Sequence, residues 1–189
     1  MENILKVIDS VTNDRQVKSI INSVNNNQEK SKNWLLDKSK EFFDFFDNPK
    51  ICVAAGWYGH LANKLVGYTN EKVLSFDKDP NTKLIGNKLY KDVWFKVEAI
   101  EDFDFKNFNI VVCTSCEHLK QSVINDMIKK CKQGALIILQ SNNYFDVKEH
   151  INCYNNVEEF EMSLNLEKVL YKGTLHLDKF NRFMVIGTN

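Results

Sequence analysis

Lys50-Ile51-Cys52-Val53-Ala54-Ala55-Gly56-Trp57-Tyr58-Gly59, with the residues that follow as far as Asp77, decides the fold. Ile51 to Ala55 is a short apolar, partly β-branched run of the kind that forms a buried strand. Gly56-Trp57-Tyr58-Gly59 breaks it, and His60 to Val66 reads as a helix with Leu61, Leu65 and Val66 on one face. Gly67 stands where a helix C′ glycine belongs. Val73-Leu74-Ser75-Phe76 is a second strand, with Asp77 just past its end. The glycine turn and Asp77 are roughly 20 residues apart, the spacing at which a nucleotide-binding βαβ unit sets a carboxylate on a ribose hydroxyl. Glycines admit a ligand close to the backbone, the helix N-terminus offers unpaired N–H groups, and the carboxylate accepts O–H bonds. An ordinary strand-to-helix turn has the same outline, so the motif draws its force from the strand, helix and acid around it.

Upstream, Ile4, Leu5, Ile8, Val11 and then Val17, Ile20, Ile21, Val24 follow an i, i+3, i+4 pattern. They predict one or two amphipathic helices ending at Asn25-Asn26-Asn27. A further helix runs from about Gln28 to Phe46, anchored by Trp34, Leu35, Phe42, Phe43 and Phe46, and stops before Pro49. Residues 1–48 thus form an N-terminal helical cover, and 49–189 one compact unit.

Downstream, Asp79 is a good N-cap and Pro80 a good N1 residue, so a helix runs from there to about Leu89. Val93 to Val97 is a third strand, ending at Glu98-Ala99. Ile110 to Thr114 is a fourth strand, opening into Ser115-Cys116-Glu117-His118 and a helix closed by Gly134. Ala135 to Leu139 is a fifth strand. Val157 to Leu164 is a helix, and Lys168 to Leu175 with Phe180 to Ile186 forms a hairpin. Strands alternating with helices imply an α/β architecture: a doubly wound, mostly parallel sheet of about seven strands with a C-terminal antiparallel hairpin. A ligand belongs at the carboxyl ends of its strands.

The chain has 189 residues, 43% hydrophobic and 26% charged, which is globular composition. Lys+Arg and Asp+Glu are 25 each, so no net basic field indicates a nucleic-acid partner. No apolar run approaches a membrane span, Met1-Glu2-Asn3 is no signal peptide, and the five cysteines sit mostly in apolar runs. A cytoplasmic protein without a membrane partner is expected.

Glu117 and His118, beyond a strand tip, are the candidate catalytic pair: either could take a proton from an attacking group. The alternative is that Glu117 complements a helix dipole and His118 is a solvated first-turn residue. Asn143, Tyr144 and His150, with Asn142 and Asn152, make a polar region after strand five on the ligand side. Cys113-Thr114-Ser115-Cys116 is a C-x-x-C, but Cys113 ends a buried strand and neither proline follows the motif, which argues against a redox dithiol. A zinc site from Cys113, Cys116, His118 and Cys131 lacks a second paired knuckle, so no metal is expected.

The order of elements from Lys50 to Thr188 resembles the class I S-adenosylmethionine (SAM) dependent methyltransferases. Four runs, Gly56-Trp57-Tyr58-Gly59, Thr114 to His118, Gln140 to Phe145 and Arg182-Phe183-Met184, look like methyltransferase-like proteins of large tailed phages. The resemblance implies a Rossmann-like methyltransferase fold, SAM as cofactor, and methyl transfer to a small or polar substrate. It implies that Gly56, Trp57, Tyr58 and Gly59 wrap the amino-acid end of SAM, that Asp77 holds the ribose, and that Glu98 and Ala99 meet the adenine. Ser115 and Cys116 would then lie beside the methyl group. Trp57 and Tyr58 would either stack on the sulfonium or plug the sheet edge. The family's loop reads acid-x-Gly-x-Gly-x-Gly, whereas Val53, Ala55 and Trp57 fall here on the acid and the first two glycines. No Asn-Pro-Pro-aromatic run follows strand four, which disfavours amino methylation of DNA bases. Transfer of the aminocarboxypropyl or aminopropyl group, or non-catalytic binding of SAM or another nucleotide, are the alternatives.

Overall fold

The computed structural model describes residues 2–9, 11 and 13–189. Met1, Ser10 and Thr12 of the expected helical cover lie outside the described residues. The strands are β1 (Ile51–Ala54), β2 (Val73–Asp77), β3 (Val93–Val97), β4 (Ile110–Cys113), β5 (Leu136–Asn142), β6 (Lys168–His176) and β7 (Asn181–Thr188). They form one seven-stranded sheet in the order β3-β2-β1-β4-β5-β7-β6. β1 to β5 are mutually parallel, while β7 runs antiparallel between β5 and β6, as expected of the hairpin. Strand order reverses between β1 and β4, and the carboxyl ends of those two strands part to leave a crevice.

Alternation along the central strands feeds two cores. Cys52, Ala54, Leu74, Phe76, Val111 and Cys113 face α6 (Gln121–Lys130) and α7 (Val157–Ser163), through Ile124, Met127 and Phe160. Ile51, Val53, Val73, Phe95 and Val112 face α3 (Asn26–Phe43) and α4 (His60–Leu65), through Leu35, Phe43, Leu61 and Leu65. A third cluster joins α1 (Glu2–Asp9) and α2 (Asp14–Ser23) to α5 (Pro80–Leu89): Val7 and Ile20 meet Tyr58, Ile85 and Leu89. Among the described residues no helix is long and apolar enough to cross a membrane.

The cap at α5 is as the sequence predicts: Asp79 Oδ1 accepts from the Asn81 N–H at 2.9 Å, with Pro80 in the first turn. Four other expectations change. Asn25 is not a polar break but the N-cap of α3, its Oδ1 accepting from the Gln28 N–H at 2.9 Å. Gly67 is no left-handed cap, because the chain tightens into a 3₁₀ turn over Val66–Tyr68 and carries the residue along. β5 extends to Asn142, since β7 pairs with it through Asn142 and buries Gln140, Ser141 and Asn142. Glu117 does not open a helix; it sits in a separate 3₁₀ turn, Cys116–His118, and α6 starts only at Gln121.

The turn after β1 departs most from its sequence. Ala55 (φ 48) and Trp57 (φ 51) are left-handed although neither is glycine. They are the positions where the resemblance places glycines, so the loop keeps a glycine geometry without the residue. Each such residue costs on the order of 1–2 kcal/mol. Gly59 (φ 82) does have the residue its conformation favours, and an added Cβ would lie 2.4 Å from the Phe95 ring. Two substitutions should therefore act in opposite senses. Ala55→Gly should leave stability unchanged or raise it by up to about 1 kcal/mol, relieved strain outweighing a lost methyl contact. Gly59→Ala should cost at least ~2 kcal/mol through strain and overpacking. Urea unfolding of both variants checks the pair; a loss in Ala55→Gly as large as in Gly59→Ala would refute the strain.

Candidate functional site

The crevice holds a cleft of about 1080 Å³ at the carboxyl ends of the parallel strands. β2 gives it Asp77, the end of β3 Glu98 and Ala99, the loop after β4 Ser115, Glu117 and His118, and the loop after β5 His150. A smaller recess of about 80 Å³ continues it inward, lined by Gly56, Trp57, Tyr58, His60, Lys32 and Arg182 among others. Ala55, Trp57, Ser115, Glu117, His118 and Arg182 border both spaces, which makes them one site.

At the tip of β2, Asp77 Oδ2 accepts from the Trp57 N–H at 3.3 Å and Oδ1 from the Asp79 N–H at 3.1 Å. The carboxylate thus ties the glycine turn to the tip of β2 while still bordering the cleft. Glu98 Oε2 lies 2.5 Å from Lys96 Nζ, so its charge is already paired.

The centre of the site is a buried ion pair. Arg182 Nη1 donates to Glu117 Oε1 at 2.7 Å, the two side chains being 8% and 6% exposed. Arg182 also donates to the Thr114 carbonyl and, at 3.4 Å, to Gln140 Oε1, which accepts from Ser31 Oγ at 2.9 Å. The network joins α3, β5, β7 and the loop after β4. Glu117 Oε2 has no hydrogen-bond partner although it is buried. The backbone carbonyl of Glu117 accepts from the Ile151 and Asn152 N–H groups at 2.8 and 3.1 Å. That bond pair draws the loop after β5 against the turn, and His118 and His150 meet edge to face with ring centroids 4.7 Å apart.

α3 supplies a second charge. Lys32 is 7% exposed, and its Nζ donates at 3.0 Å both to the Ser23 carbonyl and to Gln28 Oε1. Burial, aided by the nearby Arg182 charge, pulls its ammonium down to about 7. His60 beside it, hydrogen-bonded to Tyr90 at 2.9 Å and to Glu29, is lowered by burial and by the Lys32 charge.

Of the residues expected from sequence, Gly56, Trp57, Tyr58, Asp77, Glu98, Ala99, Ser115, Glu117, His118 and His150 border the site. Gly59 instead backs onto Phe95. Cys116 is wholly buried, its Sγ turned to the Cys113 carbonyl, and burial pushes its thiol well up. Burial likewise raises Cys52 and Cys131, the latter to about 12, which removes thiolate chemistry from the core. Asn143 is spent on the hairpin, accepting from the Asn181 N–H at 2.7 Å, and Tyr144 stacks on Phe180 at 5.2 Å. Neither of those two borders the cleft; Asn142 does. Arg182 and Lys32 carry no sequence signal as site residues, because a lone cation in a strand or an amphipathic helix reads as surface.

No protein-family model matches the chain, and no curated protein matches it. Solved structures do. The N-methyltransferase NodS from Bradyrhizobium japonicum WM9 superposes with a TM-score of 0.70 at 13% identity, over 88% of this chain and 98% of NodS. Magnesium protoporphyrin IX methyltransferase (ChlM) from Synechocystis PCC 6803, with bound SAM, gives 0.62 at 11% identity, over 85% of this chain and 77% of that one. MtNAS in complex with MTA and tNA gives 0.66 at 14%, over all of this chain and 69% of that one. At these identities the likeness is one of fold, a Rossmann-like methyltransferase fold.

Proposed function

We propose that the protein is a SAM-dependent transferase, most simply a methyltransferase acting on a small or polar acceptor. The observation that carries this is the cleft at the β1/β4 reversal, which gathers the turn after β1, Asp77, Glu98 and Ser115 around a volume of about 1080 Å³. In this reading the remaining lone pairs of Asp77 take ribose hydroxyls and the end of β3 takes the adenine. The recess takes the amino-acid tail. Val53 replaces the acid that would hold the tail's ammonium, and Lys32 offers a cation for its carboxylate. Methyl transfer is an in-line displacement, so positioning dominates. The acceptor's proton leaves at the Glu117–His118–His150 side of the cleft. Arg182 already occupies Glu117 Oε1, and the two imidazoles border the cleft beside it. The narrower likeness to proteins of large tailed phages and a cytoplasmic location belong to the same proposal.

Aminocarboxypropyl transfer is the second reading, favoured by the missing acid. Aminopropyl transfer from decarboxylated SAM fits less well, because that tail is only an ammonium and the recess already holds Lys32. A non-catalytic SAM-binding role predicts binding without turnover.

The test is calorimetry with SAM and its demethylated product, with NAD as control. SAM should bind and NAD should not. Asp77→Asn, which keeps one acceptor, should weaken SAM binding by about 1.5–3 kcal/mol, roughly ten- to a hundredfold. Binding of NAD in preference to SAM would overturn the proposal.

A further inference from the structure

We infer that Glu117, His118 and His150 form a binding site for a divalent first-row transition-metal ion at the acceptor end of the cleft. One donor atom from each of the three lies within 4.8 Å of the other two. The residues come from two segments, the turn after β4 and the loop after β5. Those segments are clamped together by the Ile151 and Asn152 N–H groups on the Glu117 carbonyl.

Three features make this more than proximity. First, Glu117 is 4% exposed and its Oε2 has no partner, whereas Oε1 is taken by Arg182. A buried, unpartnered carboxylate oxygen is costly, and native proteins rarely leave one without a ligand or ion. Second, both imidazoles are oriented through Nδ1. His118 Nδ1 lies 3.1 Å from the Glu149 carbonyl and His150 Nδ1 lies 2.8 Å from the Tyr144 carbonyl. A carbonyl has no proton to give, so each Nδ1 carries the hydrogen and each Nε2 presents its lone pair. A backbone carbonyl behind the distal ring nitrogen is the usual outer support of a metal-bound histidine. Third, all three residues border the 1080 Å³ cleft, so an ion there keeps open positions toward a ligand.

Two imidazoles and one carboxylate suit Zn²⁺, Co²⁺, Mn²⁺ or Fe²⁺ and not Mg²⁺ or Ca²⁺, which prefer all-oxygen shells. The open positions suit an oxygen donor of the acceptor. That last step rests on the transferase reading above; the ion site itself does not.

The experiment is a titration of the untagged chain with Co²⁺ alone, with no nucleotide present, read by calorimetry and by the visible absorption of the bound ion. One Co²⁺ per chain should bind, and His118→Ala and His150→Ala should each weaken it by at least about tenfold. His176→Ala, on the exposed hairpin, should leave it unchanged. Both site histidines lie outside the core, so thermal melting of the variants should match the parent. Binding that survives either site variant, that falls equally with His176→Ala, or that never saturates at one ion overturns the inference. Since SAM is absent throughout, SAM binding without Co²⁺ binding refutes this site alone, and the reverse refutes only the transferase reading.

Discussion

Arg182→Met is expected to lower folding stability by about 3–5 kcal/mol, the cost of leaving one partner of a buried ion pair alone. The guanidinium does more than neutralise Glu117. It also satisfies the Thr114 carbonyl and adds to the bond that Gln140 Oε1 takes from Ser31, so its removal strands the Glu117 carboxylate and the Thr114 carbonyl together. For a chain of this length the loss corresponds to a melting point lower by roughly 6–20 °C. The double variant Glu117→Leu/Arg182→Met should recover part of that loss, because an apolar pair of similar volume removes the stranded charge. Urea unfolding of the single and double variants supplies the cycle. A single variant within 1 kcal/mol of the parent would mean that the pair is wet and contributes little. The same network explains why α3 is more than a lid: Ser31 reaches Gln140 from above the sheet at 2.9 Å.

This pair was invisible in the sequence for a physical reason. Glu117 and Arg182 are 65 positions apart; the place of Glu117 beyond a strand tip marks it as a candidate, but nothing local shows which cation it meets. The strands were legible because burial on both faces demands uninterrupted apolar runs such as Ile110 to Cys113, a local property. Asp79-Pro80 was legible because an N-cap acts within three residues. Ala55 and Trp57 were not, since their left-handed geometry is imposed by the strand before and the helix after, against their own preference. For the site, the ends of β1 to β3 could be read from spacing. Its inner wall could not, because Lys32 and Arg182 reach it from elements whose sequence pattern reports only amphipathicity or alternation.

Lys32 carries the other large effect, and it is a pH effect. Its ammonium is lowered to about 7 in the fold, against 10.5 for the free side chain. Below pH 7 both folded and unfolded chains hold the proton, and the fold bears the full cost of a buried cation, on the order of 5 kcal/mol. Between pH 7 and 10.5 the unfolded chain holds the proton more tightly, so stability rises with pH; above 10.5 the cost is gone. Burial is the main cause. Arg182 and Lys64 act in the same direction and Glu29 opposes them. Lys32→Met removes the cost together with the hydrogen bonds to Ser23 and Gln28. The variant should exceed the parent by about 3 kcal/mol at acid pH and fall about 1 kcal/mol below it at the alkaline end. Urea unfolding from pH 6 to pH 10 reads the crossing. Parallel curves would show that Lys32 keeps its proton in the fold. A carboxylate in the recess would change the balance, because it adds a favourable charge to that of Glu29. Binding of SAM near pH 8 should therefore draw a proton into the complex, measurable as a buffer-dependent enthalpy that disappears in Lys32→Met. Binding with no proton uptake in the parent would place the carboxylate elsewhere and leave Lys32 a purely structural amine.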